Sequence, residues 1–281
     1  MKSRREGRRE KPLGGLADST RRRVQRLHRR KQREREAQVL VEGIRSVRQA
    51  LLDGARPSLA LCSPRLETLE GGAALAHSLA ASADSVLDVA DEDLAAVSAT
   101  ESPQGVLAVV AEPGRVDLAT LTRGAGVVLV LDQVQDPGNV GTLIRSARAF
   151  GATGVVALDG TADPWSPKAV RAAAGTCFGI PVAQCTVARW REAADASGVQ
   201  VLIAEASGAA VEDVPETSAA RALVVGNEGA GVRSEVRAPG ARTVAIPLAG
   251  GVESLNAAVA GSVLLHALRG HGPNATRGGR V

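Results

Sequence analysis

Five side chains in the second half of this 281-residue chain carry groups suited to holding and orienting a substrate: Asn139, Arg145, Glu228, Ser254 and Asn256. Four of them fall within polar, glycine-rich stretches at 132–142, 226–231 and 248–256, and Arg145 follows the first of these. One acid and one arginine among amides, a hydroxyl and flexible backbone suit a small cofactor that is part apolar and part polar. They also suit the orientation of a phosphate-bearing substrate. Other chemistries fit poorly. The glycines of Gly226-x-x-Gly229-x-Gly231 miss the dinucleotide spacing, and no Gly-Lys-Ser/Thr marks a phosphate loop. His28, His77, His266 and His271 are scattered, with His266 inside an apolar segment where a satisfied core histidine is expected, so no metal site is expected. No Ser/His/Asp or Cys/His arrangement stands out.

Such loops do chemistry when they stand at the carboxyl ends of parallel strands. Residues 126–131, Gly-Val-Val-Leu-Val-Leu, form a continuous apolar run typical of a central parallel strand. A helix over 140–150 should follow, capped by Asn139, with Leu143, Ile144, Ala147 and Phe150 facing inward and Gly141, Arg145 and Arg148 facing out. The strand 222–225 runs into Gly226. A strand at 244–247 leads through a loop to a helix over 254–268, capped by Ser254 and so apolar all round that it belongs inside the protein. Strands at 154–158, 179–183 and 199–204 and helices at 167–174 and 187–196 lie between, which implies a parallel sheet covered on both faces. On these residues alone two readings stand. Ser254 and Asn256 shape a site or merely cap a core helix, and Arg145 acts on substrate or is simply solvated.

The charge is lopsided. Residues 1–36 hold 15 Lys and Arg against 5 Asp and Glu, net +10, and the remainder is net −6, giving +4 overall. Arg22, Arg23, Arg30, Lys31 and Arg33 form the footprint expected for a phosphate backbone, with a solubilising tail as the alternative. Residues 1–16 should be a disordered tail and 17–36 a basic helix. Strands at 38–41, 58–62, 85–89 and 105–111 alternate with helices at 44–52, 66–81 and 91–97 to make a compact α/β unit, with a boundary at 112–115. Only four aromatic residues are present, so base recognition by a row of stacking rings is not expected. Cys62, Cys177 and Cys185 lack metal-ligand spacing and read as reduced core residues. No apolar run approaches the ~20 residues of a membrane helix, and a soluble, cytoplasmic protein is expected.

Four segments carry a resemblance. LDQVQDPGNVGTLIRSARAFG (131–151), SPKAVRAAAGT (166–176), VVGNEGAGV (224–232) and IPLAGGVESLNAAVA (246–260) are similar, in order, to the motifs of the SpoU family of RNA ribose 2′-O-methyltransferases. VLVEG (39–43) and SPQGVLAVV (102–110) resemble the substrate-binding domain that precedes the catalytic domain in many members. Ala173 departs from a serine often found in the second of the four segments. The resemblance implies an α/β chain: a parallel-sheet methyltransferase domain at 126–270 with a deep trefoil knot, and a smaller α/β RNA-binding domain at 17–112 resembling a ribosomal protein. Residues 113–125 would link them and 271–281 would be a second disordered tail. It further implies S-adenosylmethionine held largely by backbone around Gly226, Ile246, Leu248 and Leu255, a homodimer, and Arg145 as the central residue with Asn139, Glu228, Ser254 and Asn256 around it. The implied reaction is 2′-O-methylation of RNA. Ribosomal RNA, 23S foremost, ranks ahead of transfer RNA on account of the basic arm and separate N-terminal domain. A non-catalytic RNA-binding or ribosome-assembly protein is the alternative from another class.

Overall fold

The structure, a computed structural model, describes residues 15–215, 217–237, 239–250 and 252–269, and the backbone of 9–10. It divides into two compact units, residues 1–114 with Trp165–Gly179, and Arg115–Pro164 with 180–281.

The first unit is a five-stranded mixed sheet flanked by helices: β1 (Arg9–Glu10), α1 (Asp18–Leu27), α2 (Arg30–Glu36), β2 (Gln38–Glu42), α3 (Ile44–Leu52), β3 (Pro57–Cys62), α4 (Pro64–Thr68), α5 (Gly72–Ser82), β4 (Val86–Asp88), α6 (Asp91–Ala95) and β5 (Val106–Ala111). The strand order is β1-β4-β3-β5-β2, with β5 antiparallel to both of its neighbours. Most of the expected tails, 1–8, 11–14 and 271–281 with His271, lies outside the described residues. Two parts of the N-terminal tail differ from expectation. Arg9 and Glu10 pair in parallel with Val86 and Leu87, and Leu16 is buried against the core, its N–H bonded to Asp93 Oδ2 at 2.9 Å. The helix expected over 66–81 is two helices, broken where Gly71 takes a left-handed φ of 75°. The segment Trp165–Gly179 also packs here. Its helix lies against β2, its 3-10 turn lies against α3, and Arg171 Nη1 stands 3.9 Å from the buried carboxylate of Glu42.

The second unit comprises α7 (Leu118–Thr122), β6 (Gly126–Leu131), α8 (Pro137–Ala149), β7 (Gly154–Leu158), β8 (Val182–Cys185), α10 (Val187–Ser197), β9 (Gln200–Ala210), β10 (Ala220–Val225), β11 (Arg242–Ala245) and α11 (Ala257–Leu268); α9 (Pro167–Ala172) is the helix of the segment just described. Its six strands run β11-β9-β10-β6-β7-β8, every pair parallel. Both faces are covered, as the apolar run of β6 requires. Val128 and Val130 pack with Trp190 of α10 and Leu121 of α7, while Leu129 and Leu131 are equally buried on the other side. The expected linker at 113–125 therefore contains α7, a helix capped by Asp117 and anchored in this core by Leu118 and Leu121. β9 extends six residues beyond expectation because β11 pairs with it at Leu202–Ile203 and again at Ala209–Ala210, across a register shift between Thr243 and Val244. No helix among the described residues is long and apolar enough to cross a membrane.

Strand order sets where a ligand can lie. From β6 the chain goes one way to β7 and β8, then returns on the other side through β9, β10 and β11. The carboxyl ends of β6 and β10 are thus neighbours across a topological switch point, with Leu131 opposite Val225. From edge strand β11 the chain comes back to α11, which packs on α8 and β10. A Cβ on Gly261 would stand 2.4 Å from Leu143 Cδ2, so these two helices are as close as glycine allows.

Candidate active site

The three glycine-rich loops converge beyond β6 and β10. Asp132 N–H bonds to Val225 O at 2.9 Å, so the loops leaving the two strands start side by side. Helix α8 begins with Pro137 at its first turn and with Asp136 as its cap, Oδ1 accepting from Gly138 N at 3.1 Å. Asn139 is therefore not the cap, contrary to expectation. Lying inside the first turn, its amide is free to reach sideways, and Nδ2 donates to Glu228 Oε1 at 2.7 Å.

The third loop shows a similar shift. α11 is capped by Asn256, not Ser254. Residues 252–256 have no regular structure, and Asn256 Oδ1 accepts from Ala258 N at 2.9 Å and Val259 N at 3.2 Å. Asn256 Nδ2 donates to Asn139 Oδ1 at 3.2 Å. One side chain thus starts α11 and ties it to α8, and a continuous Asn256–Asn139–Glu228 chain joins all three loops. Arg145 and Ser254 are exposed. Among the described residues no hydrogen bond or ion pair connects either to that chain.

The loop after β10 is shaped by its own side chain. Asn227 Oδ1 accepts from Gly229 N and Ala230 N, both at 2.9 Å, while its backbone exchanges 3.0 Å hydrogen bonds with Gly231. Gly226 is buried beneath this turn, and a Cβ there would stand 2.5 Å from Gly231 C and O. Ile246 is half-buried, and Leu248 and Leu255 are exposed at 37% and 36%. α11 itself corrects the expectation of a helix wholly inside the protein: Ala258, Gly261, Leu264, Leu265 and Leu268 are buried, whereas Val259 is 49% and Val263 42% exposed. His266 lies on the open side rather than in the core, its ring edge-on to Phe150 at 5.2 Å.

In the first unit the expected basic face is only partly available. Arg22 and Lys31 are exposed. Arg23 donates to Gln38 Oε1 at 3.1 Å and Ser58 Oγ at 3.3 Å, and Arg30 pairs with Glu34 at 2.7 Å. Arg33 departs from the expected RNA face altogether. It is 3% exposed, and its Nη1 donates to Leu27 O and His28 O, supplying the carbonyls left open where α1 ends. Of the cysteines, Cys62 and Cys177 are buried and Cys185 is half-buried; burial pushes the Cys177 thiol up to about 12.

Residues 126–266 match the model of the SpoU rRNA Methylase family, and residues 20–108 match the MRM3-like substrate binding domain. The chain belongs to the SpoU rRNA methylase family. It is 42% identical over 183 residues to the 23S rRNA (guanosine(2553)-2′-O)-methyltransferase RlmP of Bacillus subtilis, covering 65% of this chain and 71% of that protein. It is 31% identical over 258 residues to the 23S rRNA (uridine(2479)-2′-O)-methyltransferase of Streptomyces viridochromogenes, 85% of each chain. The crystal structure of AdoMet-bound rRNA methyltransferase from Sinorhizobium meliloti superposes with a TM-score of 0.79 at 29% identity, over 93% of this chain and 97% of that one.

Two features escaped sequence reasoning. Asn227 has only a local signal, an asparagine in a glycine-rich turn, whose side chain folds onto its own backbone. Asp132 carried a stronger signal, since an acid directly after six apolar strand residues is buried and needs a partner. That partner is Arg233, 101 residues away.

Proposed function

We propose that this chain transfers a methyl group from S-adenosylmethionine to a ribose 2′-hydroxyl of ribosomal RNA, 23S foremost. The observation that carries the reading is the Asn256–Asn139–Glu228 chain, which brings one residue from each of three motif loops together at the switch point of a parallel sheet. The residues fit the cofactor. Gly226 lies under a turn that leaves no room for a Cβ, and the loops around it offer backbone groups, the apolar Ile246, Leu248 and Leu255, and no phosphate-binding lysine. When bound, S-adenosylmethionine supplies a methyl group on a positively charged sulfur, open to attack by an oxygen nucleophile. Arg145, exposed and permanently charged, orients the 2′-oxygen and the adjoining phosphate and stabilises negative charge as the hydroxyl gives its proton to solvent water. Glu228, Asn139 and Asn256 hold the loops in register, and Ser254, exposed two residues before Asn256, offers the substrate a further hydroxyl. Arg22 and Lys31 contact the RNA backbone from the first unit.

The connection from β11 back to α11, past the carboxyl ends of β9 and β10, supports the trefoil knot of the family. Val259 and Val263, 49% and 42% exposed one turn apart on α11, give that helix an open apolar face, and a second copy of this chain is its occupant. The enzyme acts in the cytoplasm, and residues 17–112 form its RNA-binding part.

The decisive experiment offers radiolabelled S-adenosylmethionine to ribosomal RNA and to transfer RNA, each from cells lacking the protein, and maps label by resistance of the 3′ phosphodiester to alkali. Alkali-stable label in ribosomal RNA supports the reading. Label confined to transfer RNA moves the substrate, and label in neither overturns it.

A further inference from the structure

At the carboxyl ends of β6 and β7 lies a charged cluster that the Asn256–Asn139–Glu228 chain does not account for. Asp132 is 0% exposed. Its Oδ2 accepts from Arg233 N at 2.7 Å, its Oδ1 accepts from Arg233 Nε at 2.7 Å, and Nη2 lies 2.6 Å from Oδ1. The same guanidinium reaches beyond β7, Nη2 donating to Asp159 O at 2.9 Å and Nη1 to Asp159 Oδ2 at 3.5 Å. Burial works against the charge on Arg233, but the bonds to Asp132 and Asp159 outweigh it and hold the guanidinium above its ordinary range. A single side chain thus binds the ends of two adjacent strands to the loop that follows β10.

That loop is fastened at its other end as well. Asn227 Nδ2 donates to Gln133 O at 3.1 Å, and Gln133 is held in a left-handed conformation, φ 57°, by its N–H bond to Thr161 Oγ1 at 3.0 Å. Glu228 lies between the two fastenings, one residue past Asn227 and five before Arg233. A buried ion pair is a poor device for stability alone, since apolar residues of the same volume serve as well. Directional fixing of a neighbouring segment is what a forked, multiply bonded arginine adds.

We propose that Asp132 and Arg233 are a positioning pair, which fixes the loop so that Glu228 meets Asn139 and the substrate-facing groups stay aligned. The proposal rests on the methyltransferase reading above. It assigns no contact with substrate to either residue, and their influence on turnover runs through Glu228.

The test compares wild type, Arg233→Lys, Glu228→Ala and the double variant, alanine removing the acceptor that meets Asn139. Lysine keeps the positive charge opposite Asp132 but lacks the planar fork needed to hold Asp132 and Asp159 together. Measured quantities are kcat and KM for RNA at saturating S-adenosylmethionine, the cofactor Kd by calorimetry, and Tm. The expected result is a kcat reduced at least tenfold in Arg233→Lys with cofactor Kd within threefold of wild type, and less than a twofold further loss when Arg233→Lys is added to Glu228→Ala. An equal loss in both backgrounds marks a merely structural staple and overturns the proposal, as does wild-type kcat in Arg233→Lys or in Glu228→Ala. Should Arg233→Lys melt below the assay temperature, Asp132→Asn is read in the same way. A wild-type protein that transfers no methyl group overturns the functional reading alone. Amide exchange at residues 228–232 then still tests the pair: faster in Arg233→Lys if it holds the loop, unchanged if it does not.

Discussion

Replacing Gly226 by alanine adds one methyl group at the tightest point of the candidate cofactor site. The new Cβ would stand 2.5 Å from Gly231 C and O and 2.6 Å from Val232 N, where ordinary contact begins at 3.4 Å. Those neighbours are backbone, so no side chain can swing aside, and the turn must retreat by about 0.9 Å, the difference between 3.4 and 2.5 Å. Gly226 does not have a positive φ, so space alone is at issue. Overpacking of this kind costs about 1–3 kcal/mol of stability. A displacement near 1 Å in a positioned site costs on the order of a hundredfold in rate, or about 2.7 kcal/mol. Calorimetric titration with S-adenosylmethionine should show at least a tenfold loss of affinity, and single-turnover methylation about a hundredfold loss of rate. Gly229→Ala is the matched control, because its Cβ would meet only Asn227 Oδ1, at 3.7 Å, and it should bind cofactor within twofold of wild type. Wild-type cofactor affinity in Gly226→Ala would refute the placement of the cofactor against this turn.

Three further outcomes are expected. Arg145→Ala should leave cofactor Kd within twofold but slow methyl transfer by roughly a hundred- to a thousandfold, the scale of losing one preorganised donor to a developing charge; unchanged single-turnover rates would remove Arg145 from its role. Val263→Glu places a carboxylate in the exposed apolar face of α11, the proposed seat of a second copy, and should raise the dissociation constant of the proposed dimer more than about a hundredfold by light scattering, since an unpaired buried charge is costly; an unaltered mass at all concentrations would show that this face is not an interface. Glu42 is held above the usual carboxylate range by burial, against the pull of the Ala99 N–H, His28 and Arg171. A raised folded value means the folded state binds more protons. Stability from this group is therefore full below the unfolded value near 4.5 and falls as pH rises toward the folded value. Urea melts of Glu42→Gln should lose that slope, gaining on wild type as pH rises above 4.5; parallel curves for the two proteins would count against it.

The loops that build the site were legible because glycine and polar residues cluster where apolar strand runs end, a pattern that parallel sheets impose. The exact starts of α8 and α11 were not. Asp136, Asn139, Ser254 and Asn256 are all competent caps, and only three-dimensional partners decide which side chain turns onto the helix and which reaches across to another loop. The open face of α11 was hidden for a different reason. A helix apolar all round looks the same whether its second face meets the core or another molecule. Arg33 was grouped with its neighbours by charge, although its task is to satisfy two carbonyls at a helix end. The pairing of Asp132 with Arg233 spans a hundred residues and has no local signature beyond an acid that has no business being buried alone.

Synthesis from the N-terminus gives the segment Trp165–Gly179 a temporal meaning. The first unit is not complete when residue 114 has been made, because α9 and the turn after it still have to arrive and cover β2 and α3. Gly179 emerges 65 residues later, which at roughly 5–20 residues per second is about 3–13 seconds of translation. During that interval the nascent sheet waits with an uncovered side while β6, α8 and β7 are being made. Pulse-labelled ribosome-bound chains arrested before and after this segment should therefore differ in protease resistance of the first unit, the longer ones being the more resistant.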